Sequence, residues 1–171
     1  AAATAELIYQ LIIELDRSKL NQELATAIAT ALITDTGSFR YSNTRPETHQ
    51  IMADLLNFEV DVNYITRQIF ENNTYQSLML KAKVLETLEV DETAKIAWVK
   101  IPEHFLEEVG ATWEDAEGIV GYPRSLQGVE VAVLLKEYRP QEIKVSLRSN
   151  QYFPVDKVAH QFDGGGHAKA A

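Results

Sequence analysis

Asp35 ends an apolar run and is followed at once by Thr36 and Gly37, within ITDTGSFRYSNT, residues 33–44. A carboxylate placed there can stand at the edge of a core and offer a hard oxygen ligand to a divalent cation. Gly37 permits a tight backbone turn beside it. Arg40 follows closely, and its planar guanidinium can grip a phosphate through two hydrogen bonds. The same residues also read as an ordinary Asp-Thr-Gly turn.

A second group closes the chain in FDGGGHAKAA, residues 162–171. Successive glycine N–H groups at a helix start form a nest for an anion. HAKAA reads as that helix start, with His167 at its N-terminus, able to donate to a phosphate oxygen. The competing reading of Gly164, Gly165 and Gly166 is a flexible linker or a helix cap. A third group is SLRSN, residues 146–150, where Arg148 ends a strand and could reach the mouth of the glycine loop. Arg124 in YPRS reads first as part of a helix stop and second as a phosphate contact. His49, His104 and His160 read as structural or solvated, with only His160 close to the glycine loop. Trp98 and Trp113 read as packing residues.

These side chains need elements to position them. Apolar spacing predicts a helix over residues 4–15 and another starting after an Asn21 cap, stopped by TDTGS. A third is expected from a Thr44 cap with Pro46 in its first turn and Asn57 near its end. Asp61 caps a fourth, and a fifth runs from about Tyr75 to Leu88. Near Ala94 the pattern changes. AKIAWVKI, GVEVAVLLKEY and EIKVSLRS alternate as strands, the last two joined at RPQE. PEHFLEEVG and WEDAEGIVGYPRS read as short helices, and PVDKVAHQF as a final one. The expected fold is α/β in two lobes: a helical lobe to about Asn57, a helical connector, and an α+β lobe from about Asn73.

At 171 residues and 46% hydrophobic, the chain can bury a sizeable core. Its formal net charge of -9 is ordinary for a cytoplasmic protein and argues against a broad duplex-binding surface. A small phosphorylated ligand held by a few arginines remains open. The sequence has no cysteine, so disulfides and thiolate metal sites are excluded. No membrane span is expected, because the apolar opening is interrupted by Glu6, Gln10 and Glu14.

In their order along the chain, TDTGSFRYSNT, YPRS, GVEVAVLLKE, KVSLRS and GGGH resemble the DHH/DHHA1 phosphoesterases. The resemblance covers essentially the whole sequence, and SLRS followed by GGGHAKAA is its most specific part. It implies that residues 1–58 are the C-terminal part of a metal-binding DHH domain, 59–73 a helical connector, and 74–171 a substrate-binding DHHA1 domain with its end cut. The implied activity is manganese-dependent hydrolysis of short single-stranded oligoribonucleotides and adenosine 3',5'-bisphosphate, through water activated by two Mn2+ ions, with Mg2+ as substitute. Asp35 would be a metal ligand. Arg148, Gly164, Gly165, Gly166 and His167 would hold the nucleotide, with Arg40 and Arg124 facing the cleft. A homodimer is implied by resemblance alone.

Two features depart from the family pattern. The sequence has neither Asp-His-His nor Asp-x-Asp, so this chain alone is expected to be inactive, with both ends cut through structure. Asp163 stands before the glycine triplet, where a carboxylate would repel phosphate unless it points away. Rival readings are a single-strand DNA exonuclease or a cyclic dinucleotide phosphodiesterase of the same family, and a catalytically incomplete nucleotide-binding module.

Overall fold

The computed structural model describes residues 2–171 and separates into two compact units, Ala1–Asn72 and Asn73–Ala171. In the described residues the first is helical: α1 (Thr4–Asp16), α2 (Gln22–Asp35), α3 (Pro46–Leu55) and α4 (Val62–Thr66), the last running into a wider π turn at Arg67–Glu71. The core of this unit joins Ala25, Ile28, Ala29, Leu32 and Ile33 of α2 to Ile51, Met52 and Leu55 of α3, with Tyr9, Ile12 and Ile13 of α1 packed against it. These are the positions that the 3.6-residue period puts on one face.

Local polar chemistry sets the helix starts. The Asn21 side chain accepts from Leu24 N at 3.0 Å, and Asp61 accepts from Tyr64 N at 2.8 Å, as the sequence suggests. The third start differs from expectation. The capping position is Arg45, not Thr44, and the Arg45 N–H donates to Thr48 Oγ1 at 3.4 Å. The reason lies in the buried Glu6 of α1, which accepts from Thr48 Oγ1 at 2.5 Å, Arg45 Nη2 at 2.7 Å and Ala2 N at 2.9 Å. A buried carboxylate requires such partners, and it recruits residues 45 and 48 to one helix end. Burial opposes ionisation of Glu6, but these donors outweigh it and hold its carboxyl below the ordinary value.

The second unit is a four-stranded sheet with helices. Its elements are α5 (Tyr75–Leu85), β1 (Glu89–Asp91), β2 (Ile96–Ile101), α6 (Glu103–Val109), α7 (Gly121–Arg124), β3 (Val131–Arg139), β4 (Glu142–Ser149) and α8 (Val155–His160). Strands lie in the order β1-β2-β3-β4; β2 and β3 are parallel, and the other pairs antiparallel. A parallel pair needs a crossover, which α6 and α7 supply. One sheet face packs Val99, Ile101, Ala132 and Leu134 against Leu80 and Val84 of α5, Leu106 of α6 and Ile119. The other carries Val131 and Leu147 beneath Val155 of α8.

Two details differ from the sequence reading. Helix α5 ends three residues before Leu88, because Thr87 Oγ1 accepts the Lys100 N–H at 2.8 Å and turns the chain into the unexpected strand β1. Residues 167–171 do not start a helix. The His167 and Ala170 backbones close a tight turn on each other at 2.7 and 2.9 Å. Ala171 then exchanges hydrogen bonds with Leu147 at 2.7 and 3.1 Å, and Ser149 N donates to the Lys169 carbonyl at 3.1 Å. Pairing with the outer edge of β4, rather than a following helix, holds the glycine loop in these residues. Among the described residues no helix is long and apolar enough to cross a membrane.

Candidate functional site

Strand β4 and the loop after α8 build the walls of one groove, about 1100 Å³ in volume. Arg148 and Ser146 line it from the strand, and Gly164, Gly165 and Gly166 from the loop, with Phe162 and Asp163 beside them. Thus Arg148 and the glycine triplet, separated in sequence, share one surface. Arg148 is half-buried, and its Nη1 donates to the Leu147 carbonyl at 2.9 Å and the Ala171 carbonyl at 3.5 Å. Anchoring one side of the guanidinium in this way costs the ligand less ordering entropy on binding.

The three glycines do different work. Gly164 N donates to the Ala159 carbonyl at 2.9 Å, closing the end of α8. Gly166 has φ +147°, and a Cβ there would meet Ala170 O and Ala171 Cα at 2.5 Å, so both conformation and contact demand glycine. Gly165 has open space where a Cβ would stand. Its lack of a side chain leaves the backbone open to close approach by a ligand. Among the described residues, the N–H groups of Gly165 and Gly166 have no backbone acceptor, so they are available to an anion. Asp163, at φ +57°, lines the groove as well, so a carboxylate shares the site. Phe162 is 80% exposed there, a flat surface on which a nucleobase can stack.

His167 follows the triplet, exposed, with its backbone tied into the turn with Ala170. Arg124 lies elsewhere in the unit. It ends α7 and lines a separate hollow of about 570 Å³ with Lys95, Glu130, Asn150 and Tyr152. Asn150 Nδ2 donates to its carbonyl at 2.9 Å. His160 Nδ1 lies 2.6 Å from the Asp156 carbonyl, and Trp113 packs beside Tyr138 with ring centroids 5.4 Å apart.

Asp35 and Arg40 belong to the first unit. Asp35 is exposed and is the last residue of α2, where the helix dipole disfavours a negative charge and so favours a cation beside it. Asn43 Nδ2 donates to its carbonyl at 3.0 Å. The next turn is left-handed for three residues, at φ +56° for Gly37, +58° for Ser38 and +63° for Phe39. Such a run is costly for non-glycine residues. Buried Thr36 secures it, donating to the Leu32 carbonyl at 2.5 Å and accepting from Phe39 N at 3.0 Å. Arg40 Nε donates to the Gly37 carbonyl at 2.7 Å, and its guanidinium lies 5.9 Å from the centre of the Phe70 ring.

The sequence reading missed Glu130, the carboxylate that shapes the segment after Arg148. It is buried and accepts from Tyr152 N and Phe153 N at 2.8 Å, Gln151 N at 3.1 Å and Ser149 Oγ at 3.2 Å. Burial pushes its pKa up, but these hydrogen bonds outweigh burial and hold it below the ordinary value. Its signal was a lone carboxylate inside the apolar run GVEVAV.

Residues 93–171 match the DHHA1 domain family. The whole chain is also similar to larger proteins. It is 34% identical over 171 residues to a bifunctional oligoribonuclease and PAP phosphatase NrnA of Thermus thermophilus, covering 99% of this chain and 50% of that protein. To the protein of the same name in Bacillus subtilis it is 27% identical over 173 residues, covering 100% and 54%. The crystal structure of an exopolyphosphatase-related protein from Bacteroides fragilis matches with a TM-score of 0.94 at 31% identity, over 99% of this chain and 50% of that one. The resemblance to DHH/DHHA1 phosphoesterases read from the motifs therefore holds, and the chain spans about half the length of the curated relatives it matches.

Proposed function

We propose that this chain is the substrate-holding part of a phosphoesterase that hydrolyses short oligoribonucleotides and adenosine 3',5'-bisphosphate. The observation that carries this reading is the single groove shared by Arg148 and Gly164–Gly166. Its donors suit a phosphate: two glycine N–H groups, a charged guanidinium and the Ser146 hydroxyl on one wall. Phe162 offers stacking area for a base without selecting among bases. The names of the relatives, oligoribonuclease and PAP phosphatase, support the same substrate class.

In this reading the groove fixes a terminal nucleotide so that its phosphate is presented to an attacking water, and the gain is one of placement and charge neutralisation. His167 adds a further donor beside the loop; in the first unit, considered by itself, Asp35 offers one oxygen to a metal. Manganese, or magnesium in its place, would activate the water and neutralise the phosphoryl oxygens. The residues present do not fit a two-ion site by themselves. Among the described residues no three His, Asp or Glu gather at one place, and one carboxylate does not fill two coordination spheres. No hydrolytic step is therefore assigned to this chain's residues. A cytoplasmic setting and a homodimer belong to the same proposal.

The test is phosphate release from a ribodinucleotide and from adenosine 3',5'-bisphosphate by the full-length protein with manganese. Arg148→Ala should raise KM by about tenfold or more with a smaller effect on kcat, since it removes an interaction made before the chemical step. Unchanged KM for both substrates would overturn the reading. Turnover of long single-stranded DNA or a cyclic dinucleotide in preference to both would favour the corresponding relatives.

A further inference from the structure

Strand β4 carries a second feature in the groove, beyond Arg148. In the antiparallel register Ala132 faces Arg148, Leu134 faces Ser146 and Lys136 faces Lys144. Cross-strand partners share a sheet face, so Arg148, Ser146, Lys144 and Lys136 form one polar row toward the hairpin tip. The row lies on the face of Ala132 and Leu134, opposite α8, and the groove reaches it around the outer edge of β4. Lys144 and Ser146 line the same groove as the glycine loop. Tyr138 lines the far end, with the Lys144 ammonium 5.8 Å from its ring centre. Successive positions on that face recur about every 7 Å, a step on the scale of one nucleotide in an extended single strand.

The row gathers like charges in a chain of net charge -9. Lys136 is held below its ordinary pKa, first by burial and then by the charges of Lys144 and Arg148, with only Glu117 opposing. Two carboxylates, Glu142 and Asp163, lie along the groove walls. A protein gains nothing in stability from such crowding of cations, whereas a bound polyanion relieves it.

We propose that Lys144 and Lys136 form a second phosphate subsite, which takes the backbone of an oligonucleotide longer than two residues after its terminal nucleotide has seated at the glycine loop. This rests on the function proposed above and adds a length preference to it. A mononucleoside bisphosphate or a dinucleotide ends before the lysines; a pentanucleotide reaches them.

The experiment measures binding of adenosine 3',5'-bisphosphate, a ribodinucleotide and a ribopentanucleotide to the full-length protein in chelator. It compares wild type, Lys144→Gln, Lys136→Gln and the charge-matched control Lys157→Gln on α8. Lys144 is exposed, so its replacement leaves the fold intact. The expected result is about a tenfold loss of pentanucleotide affinity in Lys144→Gln, with the two short ligands unchanged. The slope of log affinity against log salt for the pentanucleotide should also fall by about 0.7 for each phosphate that is no longer neutralised. Equal pentanucleotide affinity and slope in wild type, Lys144→Gln and Lys136→Gln would overturn the subsite while leaving the function standing. So would equal losses for all three ligands, or the same loss in Lys157→Gln. Failure of the wild type to bind any of the three would overturn the function itself and the subsite with it.

Discussion

Replacing Glu130 by Gln probes how the chain fixes the segment that follows Arg148. The carboxylate is 5% exposed and takes hydrogen bonds from three consecutive backbone N–H groups and the Ser149 hydroxyl. A glutamine keeps the shape and one acceptor oxygen, but it places an NH2 group where Oε2 now accepts from Gln151 N at 3.1 Å. Bonds to a charged acceptor contribute about 1 kcal/mol more than neutral ones, and a donor facing a donor adds about 1–3 kcal/mol. Residues 151–153 are exposed and water can reach part of the loss, so the net cost is about 3 kcal/mol. Both tryptophans, Trp98 and Trp113, lie in this unit, so urea unfolding followed by tryptophan fluorescence reports on it selectively. The midpoint should fall by on the order of 1–2 M with the slope unchanged. The sign of the pH dependence follows from the depressed pKa. The charge of Glu130 stabilises above the unfolded carboxylate range, and that stabilisation is lost as pH falls through the lower folded value. The gap between wild type and Glu130→Gln should therefore close in acid. A gap below about 0.5 kcal/mol at pH 7, or one that widens in acid, would refute the reasoning.

The remaining predictions concern backbone and buried charge. Gly166→Ala should destabilise the second unit by about 2 kcal/mol or more, because its Cβ meets Ala170 O at 2.5 Å and its φ is +147°. Gly165→Ala, with open space at the Cβ, should leave the urea midpoint unchanged yet weaken nucleoside bisphosphate binding in a calorimetric titration. Gly37→Ala should unfold the first unit at lower temperature by circular dichroism, since its Cβ would lie 2.5 Å from Tyr41 Cε2 at φ +56°. Glu6→Gln should cost about 2–3 kcal/mol by the same method, because Thr48, Arg45 and Ala2 lose a buried charged acceptor.

Much of the fold was legible where local chemistry decides it. Asn21 and Asp61 are short polar side chains before apolar periodic runs, and both cap their helices. The alternation in GVEVAVLLKEY and EIKVSLRS carries into β3 and β4, joined at RPQE. What failed depended on distant partners. The α3 start moved to Arg45 because Glu6, far away in sequence, draws in Thr48 and Arg45. Strand β1 is three exposed residues that extend only because β2 pairs with them. The helix expected after His167 gave way to pairing with Leu147 and Ser149, which no local pattern in HAKAA announces. The same division holds for the groove. Arg148 and the glycines are each readable as phosphate donors, but their common surface arises from the packing of α8 on β4 and from the pairing of residues 169–171 with its edge. Lys144 and Ser146 went unread as donors, although they stand four and two positions before Arg148, a spacing that strand alternation puts on one face.

The most direct test of the groove is a titration of the isotope-labelled protein with adenosine 3',5'-bisphosphate, following backbone amide resonances in chelator. The account predicts that the largest shifts fall on Gly165 and Gly166, accompanied by the Arg148 side chain, while Gly128 and Asn150, which both line the second hollow beside Arg124, stay in place. Shifts centred on Gly128 and Asn150, with Gly165 and Gly166 unmoved, would contradict it.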